Sequence, residues 1–130
     1  MLFRSWMKVL CVERDKAKLR QMRKEARELV PGAHITVCRD PFKAEAMAKA
    51  KGCDVLLTNT VFDGSNWDGV ILAERIQRVN PRVNIIFITD HADTSAAYGA
   101  WQIGASAFLR RPYEKQRLAK ALADPRFAMV

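Results

Sequence analysis

Cys53-Asp54-Val55-Leu56-Leu57-Thr58-Asn59 decides how the rest of the chain is read. Apolar and β-branched residues run into a polar end, and a loop rich in turn formers follows, Asp63-Gly64-Ser65-Asn66-Trp67-Asp68-Gly69. A short apolar run bounded by turn residues is the pattern of a strand covered on both faces. Such a strand delivers Asn59 to the rim of a parallel sheet. In open α/β sheets, ligands and chemistry gather at the carboxyl ends of the strands.

Outward from this stretch the same alternation repeats. On its N-terminal side, Asp40-Pro41 opens a helix with proline at the first helical position. Phe42, Ala46, Met47 and Ala50 are its expected inner face, and Gly52 closes it. Ala33 to Cys38 reads as a strand. Before it, Lys16 to Val30 reads as a helix capped by Asp15, with Leu19, Met22, Ala26, Leu29 and Val30 at helical spacing. Lys8-Val9-Leu10-Cys11-Val12 is the first strand. On the C-terminal side, Gly69 to Val79 is a helix with Val70, Ile71, Ala73, Ile76 and Val79 as its stripe, stopped by Asn80-Pro81. Val83 to Thr89 is a nearly continuous apolar strand, Thr94 to Ile103 an Ala-rich helix, Ala107-Phe108-Leu109 a short strand, and Glu114 to Ala123 the last helix, ended by Asp124-Pro125. Strict β-α alternation, five times over, predicts a parallel sheet with helices on both faces. Right-handed crossovers then point to a flavodoxin-like three-layer sandwich with strand order 2-1-3-4-5. The expected organisation is one domain over residues 1–130, with its core in about 7–123.

Composition fits this reading. A chain of 130 residues with 49% hydrophobic and 28% charged residues is globular and long enough to bury a core. No stretch approaches the ~20 apolar residues of a membrane span, and Met1 to Met7 is too short for a signal-peptide core. The cytoplasm is the expected compartment. Cys11, Cys38 and Cys53 form no C-x-x-C pair and lie in or beside apolar runs, which predicts reduced, buried thiols. With His34 and His91 they offer no zinc spacing. The net charge is +8, and residues 1–30 hold nine basic and four acidic residues, a net of +5. That excess can attract nucleic acid or an acidic partner, although the basic residues form no unbroken run and no aromatic residues are interleaved for base stacking.

The predicted strand ends bring together Glu13, Arg14 and Asp15, then Asn59, then Thr89 and Asp90, then Arg110 and Arg111. Over Lys8 to Leu122 this pattern resembles the receiver domain of bacterial response regulators. Asp54 stands five residues before the acceptor position, Asp68-Gly69 opens the third helix, and Phe87-Ile88-Thr89 matches the fourth strand with its hydroxyl. Gly104-Ala105-Ser106-Ala107-Phe108-Leu109-Arg110-Arg111-Pro112-Tyr113 matches the Gly-Ala, aromatic and Lys-Pro-aromatic stretch of that family. The loop before Asp68-Gly69 is about two residues longer than the family's usual one. The resemblance implies a phospho-accepting Asp after the third strand, an acidic pair that holds Mg²⁺ with it, and a Thr or Ser and a Lys that contact the phosphoryl group.

The chemistry departs from that pattern. The acceptor position is Asn59, the acidic pair is Glu13 with Arg14, and the phosphoryl-contact positions are Thr89 and Arg111. An amide forms no acyl phosphate, and Mg²⁺ prefers carboxylates, so a degenerate receiver without Asp phosphorylation, binding Mg²⁺ weakly or not at all, is expected. Arg14 is expected to enter the vacated metal position and pair with Glu13. The implied role is signalling by protein contact with a partner or an attached output domain, through the face of the fourth helix, fifth strand and fifth helix, which also serves homodimers. Phe108 holds the switch-aromatic position. Tyr98 and Trp101 lie three apart on one side of the fourth helix, as core or, if exposed, as interface anchors. Two alternatives stand beside this reading. One is a metal-free anion or nucleotide-ligand module built on Arg14, Arg110, Arg111 and Thr89. The other is nucleic-acid binding through the basic first helix. No Gly-rich phosphate loop is present. Ser65, Thr58, Thr60 and Ser95 lack a His base at a motif spacing, and His91 is a lone loop residue, so no enzyme is expected.

Overall fold

A computed structural model describes residues 7–91 and 93–123. Ten elements alternate: β1 (Lys8–Val12), α1 (Lys16–Leu29), β2 (His34–Cys38), α2 (Pro41–Lys51), β3 (Val55–Thr58), α3 (Gly69–Val79), β4 (Asn84–Thr89), α4 (Thr94–Gln102), β5 (Ala107–Arg110) and α5 (Lys115–Leu122). The five strands are parallel, in the order β2-β1-β3-β4-β5. The expected topology is therefore the observed one, with element ends within a residue or so of the sequence reading. The Asp124-Pro125 stop lies outside the described residues.

Local chemistry sets the helix starts. Asp15, Asp40, Asp68 and Asp93 each accept a hydrogen bond from a backbone N–H of the first turn. Each thereby satisfies one of the donors that a helix start leaves unpaired. β3 and β4 are buried along their whole length, because helices cover both faces of the sheet. Leu19, Met22 and Ala26 of α1 and Leu118, Ala121 and Leu122 of α5 pack on one face. Ala44 and Ala48 of α2, Leu72, Ala73 and Ile76 of α3 and Ala100 of α4 pack on the other.

Two helices present faces other than those expected. In α2 the buried residues are Pro41, Ala44 and Ala48, while Phe42 is exposed and Ala46 and Ala50 lie outside the core. Of the expected face only Met47 packs inward. Alanine at every second position from 44 to 50 gives no 3.6-residue period to read. Phe42 turns outward onto the Trp67 ring, 4.2 Å away between centroids. In α3, Leu72 is fully buried and Ile71 and Val79 are exposed. The stripe is thus rotated towards Leu72, with Ala73 and Ile76 as expected. The three cysteines are free and buried, as the sequence predicts.

Candidate functional site

Register builds the site. Val12 of β1 pairs with Thr58 of β3, so the next residues, Glu13 and Asn59, are neighbours at the carboxyl edge of the sheet. The Asn59 N–H extends the ladder by donating to Val12 O at 3.1 Å. Thr89 pairs with Arg110 at the end of β4 and β5, and Arg111 follows. α3 closes the site from above. A Cβ on Gly69 would lie 2.0 Å from the Asn59 carbonyl oxygen and 2.8 Å from the Thr60 Cα. The glycine therefore lets the helix start against the backbone of the acceptor position, and its N–H donates to Thr60 O at 2.8 Å.

Asn59 is buried, and both the oxygen and the nitrogen of its amide are hydrogen-bonded. Its Oδ1 accepts from the N–H of Thr60 at 2.6 Å and of Val61 at 3.3 Å. Its Nδ2 donates to Glu13 Oε1 at 2.9 Å. Glu13 is 2% exposed, and its Oε2 accepts from the Asp15 N–H at 3.1 Å. A buried carboxylate needs charge compensation and donors. Arg111 supplies charge, with Nη2 3.6 Å from Glu13 Oε1 and Nη1 3.5 Å from Asp90 Oδ1. Lys18 of α1 completes the series by pairing with Asp90. Positive and negative groups thus alternate across the cleft, from Lys18 through Asp90 and Arg111 to Glu13. The hydrogen bond from Lys18, helped by Arg111, holds the Asp90 carboxyl below its usual range, and Asp90 in turn raises Lys18.

The expected pairing of Arg14 with Glu13 does not form. Arg111 is the cation nearest Glu13, and the Arg14 Nε is buried with no hydrogen-bond partner among the described residues. The reason lies in the loop. The Arg14 carbonyl accepts from Arg39 Nε at 2.8 Å, while Asp15, as expected, caps α1 through Lys18 N at 2.9 Å. The Lys18 N–H lowers the Asp15 carboxyl. Thr89 is buried, and its hydroxyl accepts from Thr60 Oγ1 at 3.1 Å and from the His91 N–H at 3.1 Å. Arg110 is exposed. The four residues of the anion-site alternative are thus divided: Thr89 is hydrogen-bonded internally, Arg111 faces Glu13 and Asp90 while its Nη1 lacks a hydrogen-bond partner among the described residues, the Arg14 Nε also lacks one, and Arg110 points to solvent. Phe108 is half-buried against Phe87, with centroids 6.1 Å apart. Tyr98 and Trp101 are 60% and 75% exposed, with ring centroids 6.1 Å apart.

Sequence reasoning missed Lys18 and Thr60 as members of the site. Nothing in the spacing of Lys18 points 72 positions ahead to Asp90. Thr60 could have been found, because it directly follows the acceptor position and shares the polar rim with Thr89. The long loop before α3 also has a use the sequence did not reveal. It lays Trp67 between Phe42 and the Arg75 guanidinium, which stands 4.7 Å from the ring centroid.

A parallel sheet in this order, with its acidic, amide, hydroxyl and basic residues gathered at one carboxyl edge, defines the flavodoxin-like receiver class. The model of the response regulator receiver domain family matches residues 9–123, and the chain belongs to that family. Among proteins, it is 37% identical over 70 residues to the DNA-binding transcriptional regulator NtrC of Escherichia coli (strain K12), which covers 54% of this chain and 14% of that one. It is 29% identical over 87 residues to the nitrogen assimilation regulatory protein NtrX of Azorhizobium caulinodans, covering 67% of this chain and 19% of the relative. The chain therefore spans less than a fifth of the length of these relatives. Among solved structures, the receiver domain protein from Clostridium thermocellum superposes with a TM-score of 0.79 at 19% identity, covering 95% of each chain. The chain is thus a receiver domain of the two-component signalling type. Among the described residues no helix is long and apolar enough to cross a membrane.

Proposed function

We propose that this receiver signals without an aspartyl phosphate. The observation that carries the reading is the Asn59 amide, whose oxygen is bound to two backbone N–H groups and whose nitrogen is bound to Glu13. An amide is a far poorer nucleophile than a carboxylate, and this one is held with its donor face towards the Glu13 carboxylate. The residues present do not fit Mg²⁺. The ion needs several carboxylate or water oxygens in near-octahedral array. Here both Glu13 oxygens accept bonds from the protein, Asp90 is paired with Lys18, and Asp15 caps a helix.

On this reading residues 1–130 are one receiver-like domain in the cytoplasm, without enzymatic activity. It acts by contact with a protein partner or an attached output domain. The exposed rings of Tyr98 and Trp101 on α4 support contact or self-association through the α4-β5-α5 face. Phe108 and Thr89 are the positions that link this face to the cleft. The test is incubation with Mg²⁺ and acetyl phosphate, or with Mg²⁺ and beryllofluoride, read by intact mass and tryptophan fluorescence. The expected result is an unchanged mass and no saturable signal. A phosphoprotein mass, or a saturable shift that needs Mg²⁺, overturns the proposal.

A further inference from the structure

The basic residues that the sequence scatters through its first thirty positions are brought into line by α1. Lys16, Arg20, Arg23 and Arg27 follow one another at intervals of four, three and four residues. At 3.6 residues per turn these spacings keep all four on one strip of the helix surface. All four are exposed. None has a carboxylate within ion-pair distance among the described residues. The acids of the helix are drawn to another side, where Glu25 accepts from the Tyr113 hydroxyl and Glu28 pairs with Lys115. The result is a strip of four cations, about 16 Å long at 1.5 Å per residue, with no acid on it.

We propose that this strip docks on the phosphate backbone of double-stranded nucleic acid, without reading sequence. The fit is one of charge, spacing and residue type. About 16 Å spans some five phosphates of one strand at 3.4 Å of axial rise each. Three of the four cations are arginines, whose forked donors match phosphate oxygens in pairs. An acidic protein partner fits less well, because protein interfaces are centred on buried aromatic or apolar anchors. The strip carries none, the apolar residues of α1 being turned into the core. The absence of aromatic residues also removes base stacking, leaving the backbone as the feature recognised. This surface is separate from the cleft, so the inference stands whether or not the domain is phosphorylated.

Fluorescence anisotropy with two unrelated duplex DNAs of equal length tests it. The expected result is equal affinity for both duplexes and a slope of log K against log salt of about −3 to −4, as four phosphate contacts give, so that affinity falls about 100-fold from 50 to 200 mM salt. The triple variant Arg20→Gln, Arg23→Gln, Arg27→Gln should keep its circular dichroism spectrum, weaken binding more than tenfold and bring the slope to about −1. A control variant with three exposed cations removed from α2 and α3, Lys43→Gln, Lys51→Gln, Arg78→Gln, should weaken it less than about threefold. Undetectable binding at low salt overturns the proposal. So does an equal loss in both triple variants, which would leave only net charge at work. Preference for an acidic polypeptide such as polyglutamate over either duplex overturns it as well and assigns the strip to a protein partner.

Discussion

Replacing Asn59 by aspartate restores the family's acceptor in name, and the structure says what it does to the fold. The Asn59 Nδ2 lies 2.9 Å from Glu13 Oε1 in a buried site. A second carboxylate oxygen at that separation meets a like charge with a repulsion of about 6 kcal/mol at an effective dielectric of ~20. The pair avoids part of this by taking up a proton. At pH 7, protonating a carboxyl of ordinary pKa ~3.9 costs about 4 kcal/mol, which caps the penalty. Arg111, 3.6 Å from the same oxygen, offsets some of the rest. Asn59→Asp should therefore lose about 2 to 4 kcal/mol of stability at pH 7. The introduced carboxyl has its folded-state pKa raised above the unfolded value, so the native variant binds the extra proton first. The penalty is full above the folded pKa and fades as pH falls towards ~4; at pH 5 its cap is only about 1.5 kcal/mol. Urea unfolding of both proteins at the two pH values measures the difference directly. Millimolar Mg²⁺ should stabilise the variant, which now has two facing carboxylates, and leave the wild type unmoved. Equal stability of variant and wild type at both pH values would refute the Asn59–Glu13 contact on which the functional reading rests.

Other perturbations report on the same architecture. Gly69→Ala sets a Cβ against the Asn59 backbone 2.0 Å away; the α3 start must shift, with an expected loss of about 1–3 kcal/mol in urea unfolding. Burial pushes the Cys11 and Cys53 thiols up to about 12, so both should be silent to a thiol reagent near neutral pH and react only once the chain is unfolded. Asp90→Asn should flatten the acid limb of the stability curve. The depressed Asp90 pKa contributes stability that is present above the ordinary carboxylate value and lost as pH falls through the folded one, and thermal melts across that range would show the change. Replacing Tyr98 and Trp101 by alanine should alter stability by no more than about 0.5 kcal/mol per site, because both are exposed. Sedimentation velocity should then show weaker self-association in a sample whose wild type assembles; unchanged assembly counts against the α4 face.

The order of elements was legible because alternation leaves few choices. Val55 to Thr58 and Ile85 to Ile88 are apolar enough to need cover on both sides, and Asp15, Asp40 and Asp68 announce the helices that provide it. The site positions followed from the strand ends. Their partners did not. Arg14 follows Glu13 directly in the sequence and Arg111 stands 98 positions away, yet the fold makes Arg111, not Arg14, the ion-pair neighbour of Glu13. Side chains at the ends of long flexible stems are chosen by tertiary geometry, which residue spacing does not carry. The inner face of α2 was illegible for a simpler reason. Its alanines are interchangeable to a hydrophobic pattern, and what selects Ala44 and Ala48 is the close approach of the helix to the sheet.

The alternating series from Lys18 to Glu13 has a thermodynamic corollary. A ligand moves a two-state equilibrium only by as much as it prefers one state over the other. In a cleft whose two acids already face Lys18 and Arg111, an arriving cation must first displace one of them before it can bind an acid, so its discriminating free energy is small at the outset. Coupling between sites is reciprocal. A protein that seats on α4 and favours one placement of Phe108 and Thr89 would change the strength of these internal pairs by the same amount that the pairs resist it. Under the proposed role, control would run from the outer helix inward, and the internal pairs of the cleft would oppose it.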